Sequence, residues 1–146
     1  MSAFILKKGK AKAFPFYLSL FLSFLKIGAF TFGGGYAMLP LMQERVVAQW
    51  GSIISAEEIV DFIAVSESTP GPFAVNMATY IGSEMGGAFG AELGIPAGNV
   101  IFGILGSFSA TLGVVLPSFV IILIVAKCYA KFKESKWVKG CMSGLK

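Results

Sequence analysis

Lys26 is the residue in this sequence most suited to chemistry. From Phe14 to Gln43 the chain carries no other charge. Lys26 lies 12 positions into that stretch, ~18 Å along a helix, too far to reach the near interface by snorkelling. An ammonium so placed normally faces a cavity or a partner. Ser19, Ser23 and Lys26 fall on one helical face that continues towards Phe30 and Gly33. The counter-charge is either a bound anion or a carboxylate, and Glu67 is the nearest candidate. The plainer alternative is a shifted span with Lys26 near the interface. Glu67 precedes Thr69-Pro70-Gly71-Pro72 and could carry a proton if enclosed, or simply end a helix in a wet vestibule. Arg45, beside Glu44, is expected to form an interfacial ion pair.

Two backbone interruptions complete the set. Gly33-Gly34-Gly35 costs a helix about 1 kcal/mol per glycine relative to alanine. Its gain would be bare N–H groups that a ligand can approach; the alternative is a surface turn. Thr69-Pro70-Gly71-Pro72 cannot continue a helix. A new helix starting at Pro72 would aim its positive end inward, an anion site needing no charged side chain. Asn76, Thr79 and Tyr80 follow on one face as further donors. Transporters bind substrates at such interrupted helices. The candidate substrate-binding residues are Lys26, Gly33, Gly34, Gly35, Tyr36, Thr69, Gly71, Phe73 and Asn76, with Glu67 as a candidate coupling group.

The elements that must hold these residues are apolar. The chain of 146 residues is 55% hydrophobic and 14% charged, with a mean hydropathy of +0.77. Soluble domains carry about a quarter charged residues. Leu93 to Ala126 holds no charge over 34 residues, and roughly 20 suffice to cross a bilayer. The predicted fold is therefore an all-α membrane bundle with discontinuous, re-entrant helices. One domain is expected: a basic cytoplasmic segment 1–13, a bundle 14–126 and a basic cytoplasmic tail 127–146. The first apolar stretch, Pro15 to Phe32, reads as a retained helix, since no small-residue cleavage site follows it.

Lysines cluster at both ends, which places both termini in the cytoplasm. This basic charge reports orientation, so no nucleic-acid partner is expected. Ser55 with Glu58 resembles a capping box opening a helix that stops near Ser68. The next helix should run to about Gly90. Acidic residues flank this pair, so 55–92 is predicted to enter and leave on the outer side. The last helix, Val100 to Ala126, must tilt or bend at Pro117. Ala78, Gly82, Gly86, Gly90 and Gly94 form a small-residue stripe for helix packing, with Gly103, Ser107 and Ala110 as a similar face.

The sequence has no His, which removes imidazole bases and most zinc chemistry. Cys128 and Cys141 are expected to be free thiols. Glu84 and Glu92 stand apart from Glu67, so no acid–base pair or activated nucleophile emerges. No enzyme activity, metal or cofactor is expected.

Phe32-Gly33-Gly34-Gly35-Tyr36-Ala37-Met38-Leu39-Pro40 and Pro70-Gly71-Pro72, with Asn76 and Gly82, resemble the chromate ion transporter family. The similarity runs from about Phe16 to the end. It implies a multi-pass cell-membrane carrier exporting chromate, with sulfate as a look-alike dianion, in the short one-domain form. It also implies pairing of inverted halves, either with a second copy or with a homologous chain. Family members continue past the position of Gly144-Leu145 into hydrophobic sequence, so helices completing the pore or the dimer contact are expected beyond this chain. The competing expectation is an assembly subunit whose glycine stripes hold partner helices and which transports nothing.

Overall fold

The computed structural model describes residues 13–31, 35–51, 53–94 and 98–132. Phe32, Gly33 and Gly34 of the first interruption, and the lysine-rich ends with Cys141, lie outside the described residues. Every element among the described residues is helical.

Helix α1 spans Ala13–Phe30 and buries Phe16, Leu20, Ser23, Phe24 and Ile27, a stripe with helical spacing. Phe14, Leu18, Leu22 and Phe30 remain exposed on its other faces. Apart from the face of Ser19, Ser23 and Lys26, α1 is apolar on its exposed sides as well, which suits a membrane span. A continuous helical run over 35–50, here α2, follows. It opens with a 3-10 turn, Gly35–Met38, and passes through an α-turn, Leu39–Met42, with Pro40 in its first turn. A π-turn over Gln43–Val47 and a last α-turn, Ala48–Trp50, complete it. Met38, Met42, Val46 and Trp50 all face the core, at strict intervals of four. An α-helix of 3.6 residues per turn rotates such a stripe by roughly 40° per step. The wider π-turn takes up part of that drift and keeps Trp50 inside.

Helix α3, Ala56–Ser68, opens on the complete capping box: the Ser55 side chain accepts from the Glu58 N–H, and the Glu58 carboxylate accepts from the Ser55 N–H. The Ser55 backbone N–H, and secondarily its side chain, hold the Glu58 carboxyl below the usual carboxylate range. Helix α4, Phe73–Glu92, begins with Pro72 as its N-cap, one position before the predicted place. Helix α5, Gly98–Phe132, runs through Pro117 without interruption.

The bundle is built on α4 against α5 and α5 against α1. The glycine stripe of α4 meets that of α5 directly. A Cβ on Gly82 would come within 2.5 Å of the Gly106 carbonyl oxygen, and one on Gly86 within 2.7 Å of the Phe102 carbonyl carbon. A Cβ on Gly28 or Gly113 would likewise collide with backbone across the α1–α5 contact. Close backbone approach of this kind replaces the hydrophobic drive that lipid cannot supply. Polar side chains fasten the same surfaces: Ser107 donates to the Thr79 carbonyl at 2.9 Å, Thr79 and Thr111 hydroxyls lie 2.9 Å apart, and Ser109 donates to the Tyr17 carbonyl at 2.9 Å.

Among the described residues two helices are long and apolar enough to cross a membrane, Ala13–Phe30 and Asn99–Tyr129. The fold is all-α, as the composition predicts. Beyond Val115, α5 leaves its neighbours, and Phe119 to Val125 are exposed.

Candidate functional site

The corner between α3 and α4 is tightly accounted for on its carbonyl side. Ser68 donates to the Ala64 and Val65 carbonyls at 2.8 and 3.1 Å, and Thr69 to the Val65 carbonyl at 2.7 Å. The Asn76 amide reaches back across the corner to the Thr69 carbonyl at 3.2 Å and the Ser66 carbonyl at 3.4 Å. Gly71 adopts φ +141°, open to glycine and strained for other residues. A Cβ there would also touch the Asn76 side-chain oxygen at 3.4 Å.

The amide side of the corner differs. Pro72 brings no side-chain cap to α4. Its carbonyl accepts from Val75 and Asn76, but no backbone carbonyl outside the helix accepts from Phe73 or Ala74 among the described residues. Two N–H groups at the positive end of a 20-residue helix are thus left over among the described residues.

The start of α2 lies against this end. Gly35 packs so closely on Phe73 that a Cβ would approach its side chain to 3.0 Å. The Tyr36 ring stacks on the Phe73 ring, centroids 5.2 Å apart and planes at 14°. The Glu67 carboxylate faces the Tyr36 hydroxyl. Gly35, Tyr36, Glu67, Thr69, Gly71, Phe73 and Asn76 therefore gather at one corner. Gly33 and Gly34 belong to the undescribed residues.

Lys26 belongs to a different place. It is exposed on α1 and lines a cleft of about 300 Å³ with Ile27, Phe30, Leu41 and Arg45. A second cleft of about 330 Å³ is lined by Ser23, Lys26, Glu44, Arg45, Ala48 and Gln49. Glu67 lines neither; the charged residues that line these clefts with Lys26 are Arg45 in both and Glu44 in the second. Arg45 and Glu44, expected as an interfacial pair, both line the second cleft with Lys26. Below the clefts, Ser23 donates to the Gln49 side-chain oxygen at 2.8 Å and the Gln49 amide donates to Ser19 at 3.2 Å.

Two other expected donors have different duties. The Thr79 hydroxyl bonds the Val75 carbonyl and Thr111, and Tyr80 stacks on Phe62 at 6.3 Å. Sequence reasoning missed Ser66, whose hydroxyl is buried without a hydrogen-bond partner among the described residues. Nothing in the local sequence distinguishes it from a surface serine. Arg45 was also missed as a member of the groove, because a regular helical period does not hold through a π-turn.

Known proteins bear on this arrangement. Residues 18–146 match the family described as Chromate transporter. An uncharacterized transporter of Methanocaldococcus jannaschii is 30% identical over 118 residues, covering 81% of this chain and 25% of its own. An uncharacterized transporter of Bacillus subtilis is 28% identical, covering 83% of this chain and 58% of its own. A chromate transport protein of Cupriavidus metallidurans is 27% identical, covering 86% and 27%. The chain thus spans between about a quarter and somewhat over half of these relatives' lengths. No solved structure is significantly similar to it. With a match over nearly its whole length, a helical fold without strands among the described residues and two helices fit to cross a membrane, the chain belongs to the chromate transporter family.

Proposed function

We propose that this chain forms an anion-binding half of a membrane carrier that exports chromate, a tetrahedral dianion resembling sulfate. The observation that carries the reading is the asymmetry of the α3–α4 corner. Its carbonyls are met by Ser68, Thr69 and Asn76, while the N–H groups of Phe73 and Ala74 keep no backbone acceptor among the described residues. Donors without acceptors, at a positive helix end, suit an anion. Gly71 lets the backbone turn closely there, Asn76 braces the corner, and the Tyr36–Phe73 stack covers it. Gly35 brings the start of α2 against Phe73, and the backbone N–H groups of the Gly33 to Gly35 run are the further candidate donors. Lys26 supplies positive potential along the route. Protonation of Glu67 would lessen its repulsion of an arriving dianion, which makes it the coupling candidate.

In this reading α3 and α4 form a re-entrant hairpin with the corner near mid-membrane, and both termini are cytoplasmic. An inside-negative potential then drives a dianion outward at ~2.3 kcal/mol per charge per 100 mV. The pore is completed by a second homologous half, another copy or a chain of reversed topology, against the exposed part of α5. The assembly-subunit reading loses its main support, because the glycine stripes of α4 and α5 meet each other within the chain.

The test uses proline as an amide eraser. Pro is tolerated at the first helical position, and Pro72 already has the extended ψ of 117° that a following proline requires. Phe73→Pro and Phe73→Ala both lose the ring, but only the first loses the N–H. In cells expressing the chain, Phe73→Ala should retain more chromate export than Phe73→Pro. Equivalent accumulation in both, with membrane insertion verified, would refute the amide site. Accumulation unchanged by the wild-type chain would refute export.

A further inference from the structure

We infer that Lys26 and Arg45 form a second oxyanion station in the α1–α2 groove, distinct from the α4 corner; the inference rests on the transport reading for its ligand class. Both cations line both clefts. The larger charge problem lies in the first cleft, where Ile27, Phe30 and Leu41 are the other lining residues and no carboxylate lines it among the described residues. Two cations side by side against apolar walls repel each other, and a dianion between them relieves that repulsion in a medium of low dielectric.

The groove is also built to hold its shape. Gln49 uses its carbonyl oxygen and one N–H on Ser23 and Ser19, which fixes α2 against α1. An amide nitrogen has two hydrogens, so one N–H of Gln49 remains beside the second cleft. Arg45 sits at the centre of the π-turn and lines the clefts with Lys26, while the next residue, Val46, stays fully buried. Such turns recur at functional sites. Arg45 presents a planar fork that binds two oxygens of a tetrahedral anion, and Lys26 adds a point charge. Glu44, at the edge of the second cleft, opposes the anion and sets a preference for release over tight retention. The same chemistry would accept the phosphate of an anionic lipid, and the experiment separates the two sources.

Equilibrium dialysis of the purified chain with chromate at low ionic strength, in a phospholipid-free detergent, reads the station directly. Arg45→Gln and Lys26→Gln should each weaken chromate binding about tenfold or more, the scale of one charge-assisted hydrogen bond. Arg45→Lys should restore part of the loss, and Glu44→Gln should tighten binding. Circular dichroism and gel filtration identify variants that retain the fold. Wild-type affinity in both folded glutamine variants overturns the station, and a weakened Phe73→Pro beside them would leave the transport reading standing. A chain that binds phosphatidylglycerol in mixed micelles with the same dependence on Lys26 and Arg45, but no chromate or sulfate, would support the station with a headgroup as occupant and sink the transport reading. Failure to bind any of these probes overturns the station.

Discussion

The α4–α5 seam and the α1–α2 groove join helices by opposite means. At the seam, Gly82 and Gly86 bring backbone onto the backbone of Phe102, Gly103 and Gly106. At the groove, Ser19, Ser23 and Gln49 form a polar bridge, and Lys26 and Arg45 hold space open beside it. At Gly82 and Gly86 the seam is closed backbone to backbone, and space opens only along its edge, in a cleft of about 670 Å³ lined by Ser83, Glu84 and Gly87 of α4 and Asn99, Ile104 and Ser107 of α5. In lipid, where apolar side chains gain nothing by pairing, a bundle needs a zone of close contact so that another zone can stay open.

The sharpest way to break this contrast is Gly86→Leu. Its side chain would drive into the Phe102 backbone, and overpacking with no flexible neighbour costs about 3 kcal/mol or more. Loss of the folded species in detergent gel filtration is the expected result. Gln49→Ala should cost about 1 kcal/mol in thermal unfolding, the worth of the bridge, and leave the bundle assembled. If it proves as damaging as Gly86→Leu, the groove is a packing element and the distinction fails. Thr79→Val removes one polar link from the seam and should cost only about 0.6 kcal/mol, since the glycine contacts remain. A control outside both regions is Ser55→Ala, which should speed amide exchange in the first turn of α3. Because Glu58 titrates below its ordinary 4.5, the capping box contributes fully above that value. Its contribution fades as pH falls through the lowered one, so the difference between wild type and Ser55→Ala should shrink in acid.

Much of the architecture was legible because it is written in backbone chemistry. Pro70 and Pro72 cannot sit within a helix, so the corner could be placed to within a residue. Gly82 and Gly86 announce a close contact, and Ser55 with Glu58 announce a helix start. What each surface meets was less legible. The glycine stripe does not state that its partner is α5 of the same chain, and Thr79 looks like a free donor until Thr111 is opposite it. Lys26 and Glu67 seemed natural partners from charge alone. The structure places Lys26 beside Arg45, through a turn whose period departs from the regular helix. The free hydroxyl of Ser66 depends entirely on burial by distant residues, which no local pattern encodes.

The length of α5 has a mechanical consequence. At 35 residues it measures ~52 Å, against a hydrocarbon layer of about 30 Å. Its far half is exposed among the described residues, while its near half is locked to α4 by glycine contacts. A thinner bilayer makes a long helix lean and a thicker one lets it stand. As α5 leans it acts as a lever on α4, whose first residue is Phe73. Bilayer thickness is therefore expected to bear on the amide end of α4.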